Sequence, residues 1–149
     1  MKTIRVTKEF NFEMAHALMN YDGFCKNVHG HSYKMFVTVI GTPSTNMEDP
    51  KLGMLIDFGD LKKIVNKEIV DVYDHAFLLN KNSGVNYNSE THQMFSNTIY
   101  VDYQPTCENM VNDFAEKIKA KLPEKAKIFS IRLYETATAY AEWFASDNL

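Results

Sequence analysis

The chain has 149 residues, 45% of them hydrophobic and 23% charged, with a formal charge of −3 at pH 7. This length suits one domain with a buried core, and the composition excludes disordered and fibrous classes. Lys and Arg are scattered among Asp and Glu, with no continuous basic stripe, which argues against a nucleic-acid binder.

The opening MKTIRVTKEF interrupts its apolar residues with Lys2, Arg5, Lys8 and Glu9. It reads as neither a signal peptide nor a membrane span, so the expected location is cytoplasmic, with no membrane partner. From Ile4 to Ala15 the pattern alternates, placing Phe10, Phe12, Met14 and then His16 on one side of a strand. Tyr33 to Ile40 is β-branched and aromatic, and Gly41-Thr42-Pro43-Ser44 ends it, giving a second strand antiparallel to the first. Asp57 is placed to cap a helix whose apolar residues Leu61, Ile64, Val65, Ile69 and Val72 recur at helical spacing.

The stretch 81–104 reads as a long loop, with a short extended piece near Ile99 to Tyr103. A second helix is expected from Thr106, with Met110, Val111, Phe114, Ile118 and Leu122 as its apolar stripe and Pro123 as its stop. Ile128 to Thr136 and Tyr140 to Phe144 follow as two further strands. The whole is predicted to be one α+β domain over 1–149, ordered strand-strand-helix-helix-strand-strand. Its four-stranded antiparallel sheet would carry the two helices on one face.

His29-Gly30-His31 puts two imidazoles at i and i+2, on the same side of an extended segment, with His16 as the natural third ligand. Three nitrogen donors and an open fourth position are characteristic of a catalytic zinc site. Cys25, four residues before His29, fits either a fourth ligand or a free thiolate base. Cys107 reads as a buried small residue, and a reducing cytoplasm disfavours a bridge between the two cysteines. Asp74-His75 is either an oriented acid-base pair or a helix C-terminal cap. Glu135 is a carboxylate in an apolar strand, where such a group pairs or recognises a ligand.

Taken together, FNFEMAH, CKNVHGHSY, GMLIDFGDLK, YDHAFLLN, QPTCENM and LYET resemble, in order from residue 10 to 136, the motifs of the 6-pyruvoyl-tetrahydropterin synthase and 6-carboxytetrahydropterin synthase family. The resemblance implies a tunnelling fold assembled as a homotrimer or stacked homohexamer with sites between subunits. It implies zinc on His16, His29 and His31, Cys25 as catalytic base, Asp74 and His75 as proton relay, and Glu135 anchoring the pterin with Thr106 and Glu108 nearby. Two departures stand out: Cys107 stands where the family often has serine or alanine, and the 81–104 loop is longer than in compact members.

Family members making 6-pyruvoyl-tetrahydropterin commonly place five residues between the cysteine and HGH, and 6-carboxytetrahydropterin synthases place three. Lys26, Asn27 and Val28 make three here. The implied reaction is conversion of 7,8-dihydroneopterin triphosphate and water to 6-carboxy-5,6,7,8-tetrahydropterin, acetaldehyde and triphosphate, an early step toward queuosine. The alternatives are a 6-pyruvoyl-tetrahydropterin synthase and, in a different class, a non-catalytic zinc-binding domain, which would have no use for Asp74, His75 and Glu135.

Overall fold

The structure is a computed structural model describing residues 2–149. Two 13-residue strands, β1 (Ile4–His16) and β2 (His29–Gly41), pair antiparallel in unbroken register from Ile4 opposite Gly41 to His16 opposite His29. Their alternation is the cause of the pairing: Phe10, Phe12 and Met14 on β1 and Tyr33, Met35, Val37 and Val39 on β2 are buried on one face. Phe12 and Tyr33 stack there at a ring-centroid distance of 5.1 Å.

The helical run after Asp57 comprises α1 (Phe58–Val65), a π-helical turn over Asn66–Val70, and α2 (Asp71–Tyr73). Asp57 caps it, accepting from the Gly59 N–H at 2.7 Å. Its buried residues Leu61, Val65, Ile69 and Tyr73 are spaced by four throughout. At 3.6 residues per turn such a row drifts about 40° per step, and a wider turn brings it back toward the sheet.

The expected four-stranded antiparallel sheet is corrected to a six-stranded mixed sheet, with strand order β4-β3-β1-β2-β5-β6. The additions are β3 (Ala76–Asn80), parallel to β1, and β4 (Thr98–Val101), parallel to β3. In β3, Ala76, Leu78, Leu79 and Asn80 are all buried, so the strand has no polar alternation to betray it. The extended piece expected near 99–103 is β4, and the rest of the 81–104 stretch is loop. Tyr87 stacks on Phe95 at 4.7 Å within that loop, and the Tyr100 hydroxyl bonds both the N–H and the carbonyl of Tyr87.

Next, α3 (Cys107–Lys119) is capped by Thr106 and buries Met110, Val111, Phe114 and Ile118. Hairpin β5 (Lys127–Thr136) and β6 (Ala139–Phe144) completes the other side of the sheet, β5 pairing antiparallel with β2. Side chains from the helices and the inner sheet face form one continuous core. No helix among the described residues is long and apolar enough to cross a membrane.

Candidate metal centre

The inner face of β1 and β2 ends in imidazoles. His16 closes β1 opposite His29, and His31 lies two residues on, so strand period and register together bring all three to one face. One nitrogen from each lies within 4.8 Å of the other two. Among the described residues this is the one group of three or more His, Cys, Asp or Glu side chains close enough to hold a metal ion. The Cys25 thiol is outside that group.

The outer ring nitrogens fix the tautomers. His16 Nδ1 is 2.7 Å from the Pro105 carbonyl oxygen, and His29 Nδ1 is 2.7 Å from that of Asn27. Carbonyl oxygens only accept, so each Nδ1 donates and each neutral ring turns the lone pair of Nε2 inward. Those two Nε2 atoms stand 3.0 Å apart, and His31 Nε2 is buried without a hydrogen-bond partner. Inward lone pairs at this separation repel unless a cation joins them. A proton is a poor candidate: burial lowers the His16 pKa to about 4 and holds His31 below its ordinary value as well. The donor set fits a metal ion of the kind that accepts neutral imidazole.

Glu135 faces this cluster. Ile131 and Leu133 are buried on β5, so Glu135 shares their parity, and its Oε1 is 3.6 Å from both His16 Nε2 and His31 Nε2. Tyr33 forms the floor, its ring edge-on to His16 and His31 and its hydroxyl buried without a partner. Burial, followed by the charge of Glu135, raises the Tyr33 phenol well above its ordinary range, so it stays protonated.

Cys25 is half-buried in a 3₁₀ turn (Phe24–Lys26), and its carbonyl accepts from the Leu18 N–H at 3.0 Å. That bond ties the turn to the chain leaving His16. Thr106 caps α3, accepting from the Asn109 N–H at 3.3 Å, and Glu108 is exposed in the first helical turn. Cys107 is buried, donates to the Leu133 carbonyl at 3.1 Å, and has its pKa pushed up to about 11, chiefly by burial. The charges of Glu135 and Glu108 add to that rise.

Asp74 and His75 lie elsewhere. Asp74 accepts from the Glu13 N–H at 2.8 Å, which lowers its pKa, and its second oxygen is 3.0 Å from His75 Nδ1. His75 has φ 61°, a left-handed conformation costly for a residue with a Cβ, and its N–H donates to the Glu13 carbonyl. The exposed His75 lines a cleft of about 310 Å³ with Glu13, Ala15, Gly30 and Ser32 and also with Met14, His31 and Ala76 of the core-facing set. The cleft therefore borders one member of the imidazole cluster, His31, and neither His16 nor His29.

Three contributors are not singled out by the sequence. The Pro105 carbonyl, a main-chain acceptor, orients His16. Gln104 grips the Met19 backbone, its Nε2 donating to the carbonyl at 2.8 Å and its Oε1 accepting from the N–H at 3.2 Å. Tyr33 could have been found, since it continues the parity of His29 and His31.

A mixed sheet with helices on its inner face and a three-imidazole metal centre at the end of its two longest strands defines the class. The chain belongs to the family described as 6-pyruvoyl tetrahydropterin synthase, whose model matches residues 5–146. It is 38% identical over 141 residues to the 6-carboxy-5,6,7,8-tetrahydropterin synthase of Haemophilus influenzae, covering 93% of this chain and 97% of that one. It is 30% identical over 146 residues to the protein of the same name from Rickettsia conorii, covering 93% and 99%. Two solved structures share the fold. An uncharacterized protein from Wolinella succinogenes has a TM-score of 0.80 at 18% identity, covering 97% of this chain and 99% of that one. The 6-pyruvoyl tetrahydropterin synthase of Caenorhabditis elegans has a TM-score of 0.68 at 24% identity, covering 97% of each chain.

Proposed function

We propose that this protein is a zinc-dependent lyase that converts 7,8-dihydroneopterin triphosphate and water to 6-carboxy-5,6,7,8-tetrahydropterin, acetaldehyde and triphosphate, as a step toward queuosine. The observation that carries the proposal is the convergence of three imidazole nitrogens, within 4.8 Å of one another, with a carboxylate alongside. A bound zinc ion would supply Lewis acidity toward the oxygens of the substrate side chain, making the neighbouring C–H protons more acidic.

The chain's own residues divide the remaining work. His16, His29 and His31 hold the ion, and the Pro105 and Asn27 carbonyls keep two of those rings turned inward. Glu135 accepts from adjacent N–H donors on the pterin's aminopyrimidine edge, with Thr106 and Glu108 at the start of α3 beside it. Cys25, outside the ligand set, takes a proton from the substrate side chain as the thiolate. His75, oriented by Asp74, gives or takes a proton on the other side. Because His75 opens to solvent and its cleft reaches neither His16 nor His29, the pair serves the centre of a neighbouring chain in a homotrimer or homohexamer.

The three-residue spacer between Cys25 and His29 and the naming of the curated relatives favour the 6-carboxy product over 6-pyruvoyl-tetrahydropterin. A purely zinc-binding domain leaves the strained His75 and its buttressing by Glu13 without a purpose. Incubation of the zinc-loaded protein with 7,8-dihydroneopterin triphosphate tests the proposal: triphosphate release is expected, and no turnover would refute it.

A further inference from the structure

Glu135 is the residue at which the β5–β6 ladder slips. Tyr134 pairs with Tyr140 and Thr136 with Ala139, leaving Glu135 as the extra residue of a bulge. A bulge of this kind re-aims a side chain, and bulges are over-represented beside active sites. Here the carboxylate is aimed at two imidazole nitrogens: Oε1 is 3.6 Å from His16 Nε2 and 3.6 Å from His31 Nε2. Those separations are too long for hydrogen bonds. His16 also has its Nδ1 proton committed to Pro105 and so offers no Nε2 proton to share.

The separations do match one other arrangement. Around an ion with bonds of about 2.0–2.1 Å, the corners of a coordination tetrahedron stand about 3.3–3.4 Å apart. His16 and His29 Nε2 are 3.0 Å apart, and Oε1 lies 3.6 Å from two of the three imidazoles. The oxygen therefore stands at about a corner-to-corner distance from two of the three imidazole nitrogens. Glu135 itself is paired on neither side, which leaves its carboxylate free to move between two partners, while its neighbour Tyr134 is held by both β2 and β6.

We infer that Glu135 is the fourth metal ligand of the substrate-free protein, and that substrate binding transfers its carboxylate from the ion to the pterin. This rests on the metal reading of His16, His29 and His31. One side chain then has two successive duties: it closes the centre at rest, and it accepts from the aminopyrimidine edge once the fourth corner is needed for chemistry. Entry of the right ring system is thereby coupled to opening of the centre, because the carboxylate leaves the ion when it has N–H donors to accept from.

The test compares wild type, Glu135→Gln, Glu135→Ala and His29→Ala after metal removal, using zinc or cobalt(II) alone and then azide as a probe of the fourth position. Glu135→Gln and Glu135→Ala are expected to bind zinc at least about tenfold more weakly than wild type. Their cobalt absorption spectra should change, and azide should bind their cobalt forms at least about tenfold more tightly because the corner is free. Zinc affinity, cobalt spectrum and azide affinity all unchanged in both variants would overturn the inference. Wild-type metal content in His29→Ala would instead refute the underlying centre, so the two failures are told apart. Should Glu135→Ala not fold, the near-isosteric Glu135→Gln carries the comparison alone.

Discussion

Cys25 is where the structural and catalytic readings of the site separate most cleanly. Its sulfur lies outside the three-histidine cluster, while its turn is tied to the end of β1 through the Leu18 N–H. A fourth ligand would loosen the metal when removed, and because metal binding is coupled to folding it would lower stability too. A base would do neither. Cys25→Ala is accordingly expected to keep full zinc content and an unchanged melting temperature, yet lose about 10²–10⁴-fold in kcat. Metal analysis, calorimetry and steady-state kinetics on one preparation check this, and wild-type turnover would remove Cys25 from the mechanism. At this scale much of the site was legible in the sequence. His16, His29 and His31 follow from strand parity, because two residues per repeat leaves no freedom in which side chains share a face. The Pro105 carbonyl was not legible, because a main-chain acceptor has no residue type to announce it. The same is true of the place where His75 falls, which depends on a parallel pairing between β1 and β3.

Among the elements, the helices declared themselves and the short parallel strands did not. Asp57 and Thr106 both cap the helices they were expected to start, and the apolar stripe of α3 is buried as its spacing demands. Strands β3 and β4 are five and four residues long, and β3 is buried without alternation, so neither carries a period-two signal. Asp57 performs two functions at once, capping α1 and pairing with Lys51 Nζ at 2.8 Å. The cap is expected to dominate because the ion pair is largely solvated. Asp57→Ala should lower the urea midpoint of unfolding, whereas Asp57→Asn, which keeps a capping oxygen, should lose only a small part of that. Urea denaturation of the two variants separates the contributions, and equal losses would assign the stability to the ion pair instead.

For the whole molecule, the decisive feature is the separation of the proposed catalytic groups. The imidazole cluster lies on the face covered by the helices, while His75 is exposed beside Glu13 and Ser32 in a cleft that His31 borders and His16 and His29 do not. Edge strands β4 and β6 each leave one side of their backbone unpaired within the chain. Pairing of those edges between copies would build a ring in which one chain's cluster meets the next chain's relay. The native mass measured by sedimentation is expected to be a multiple of three subunits, and a fully active monomer would contradict the shared site. The proposed reaction is tested most directly by product analysis after the zinc-loaded protein consumes 7,8-dihydroneopterin triphosphate. 6-Carboxy-5,6,7,8-tetrahydropterin and acetaldehyde are expected in equal amounts; 6-pyruvoyl-tetrahydropterin as the main product without acetaldehyde would contradict the proposed reaction.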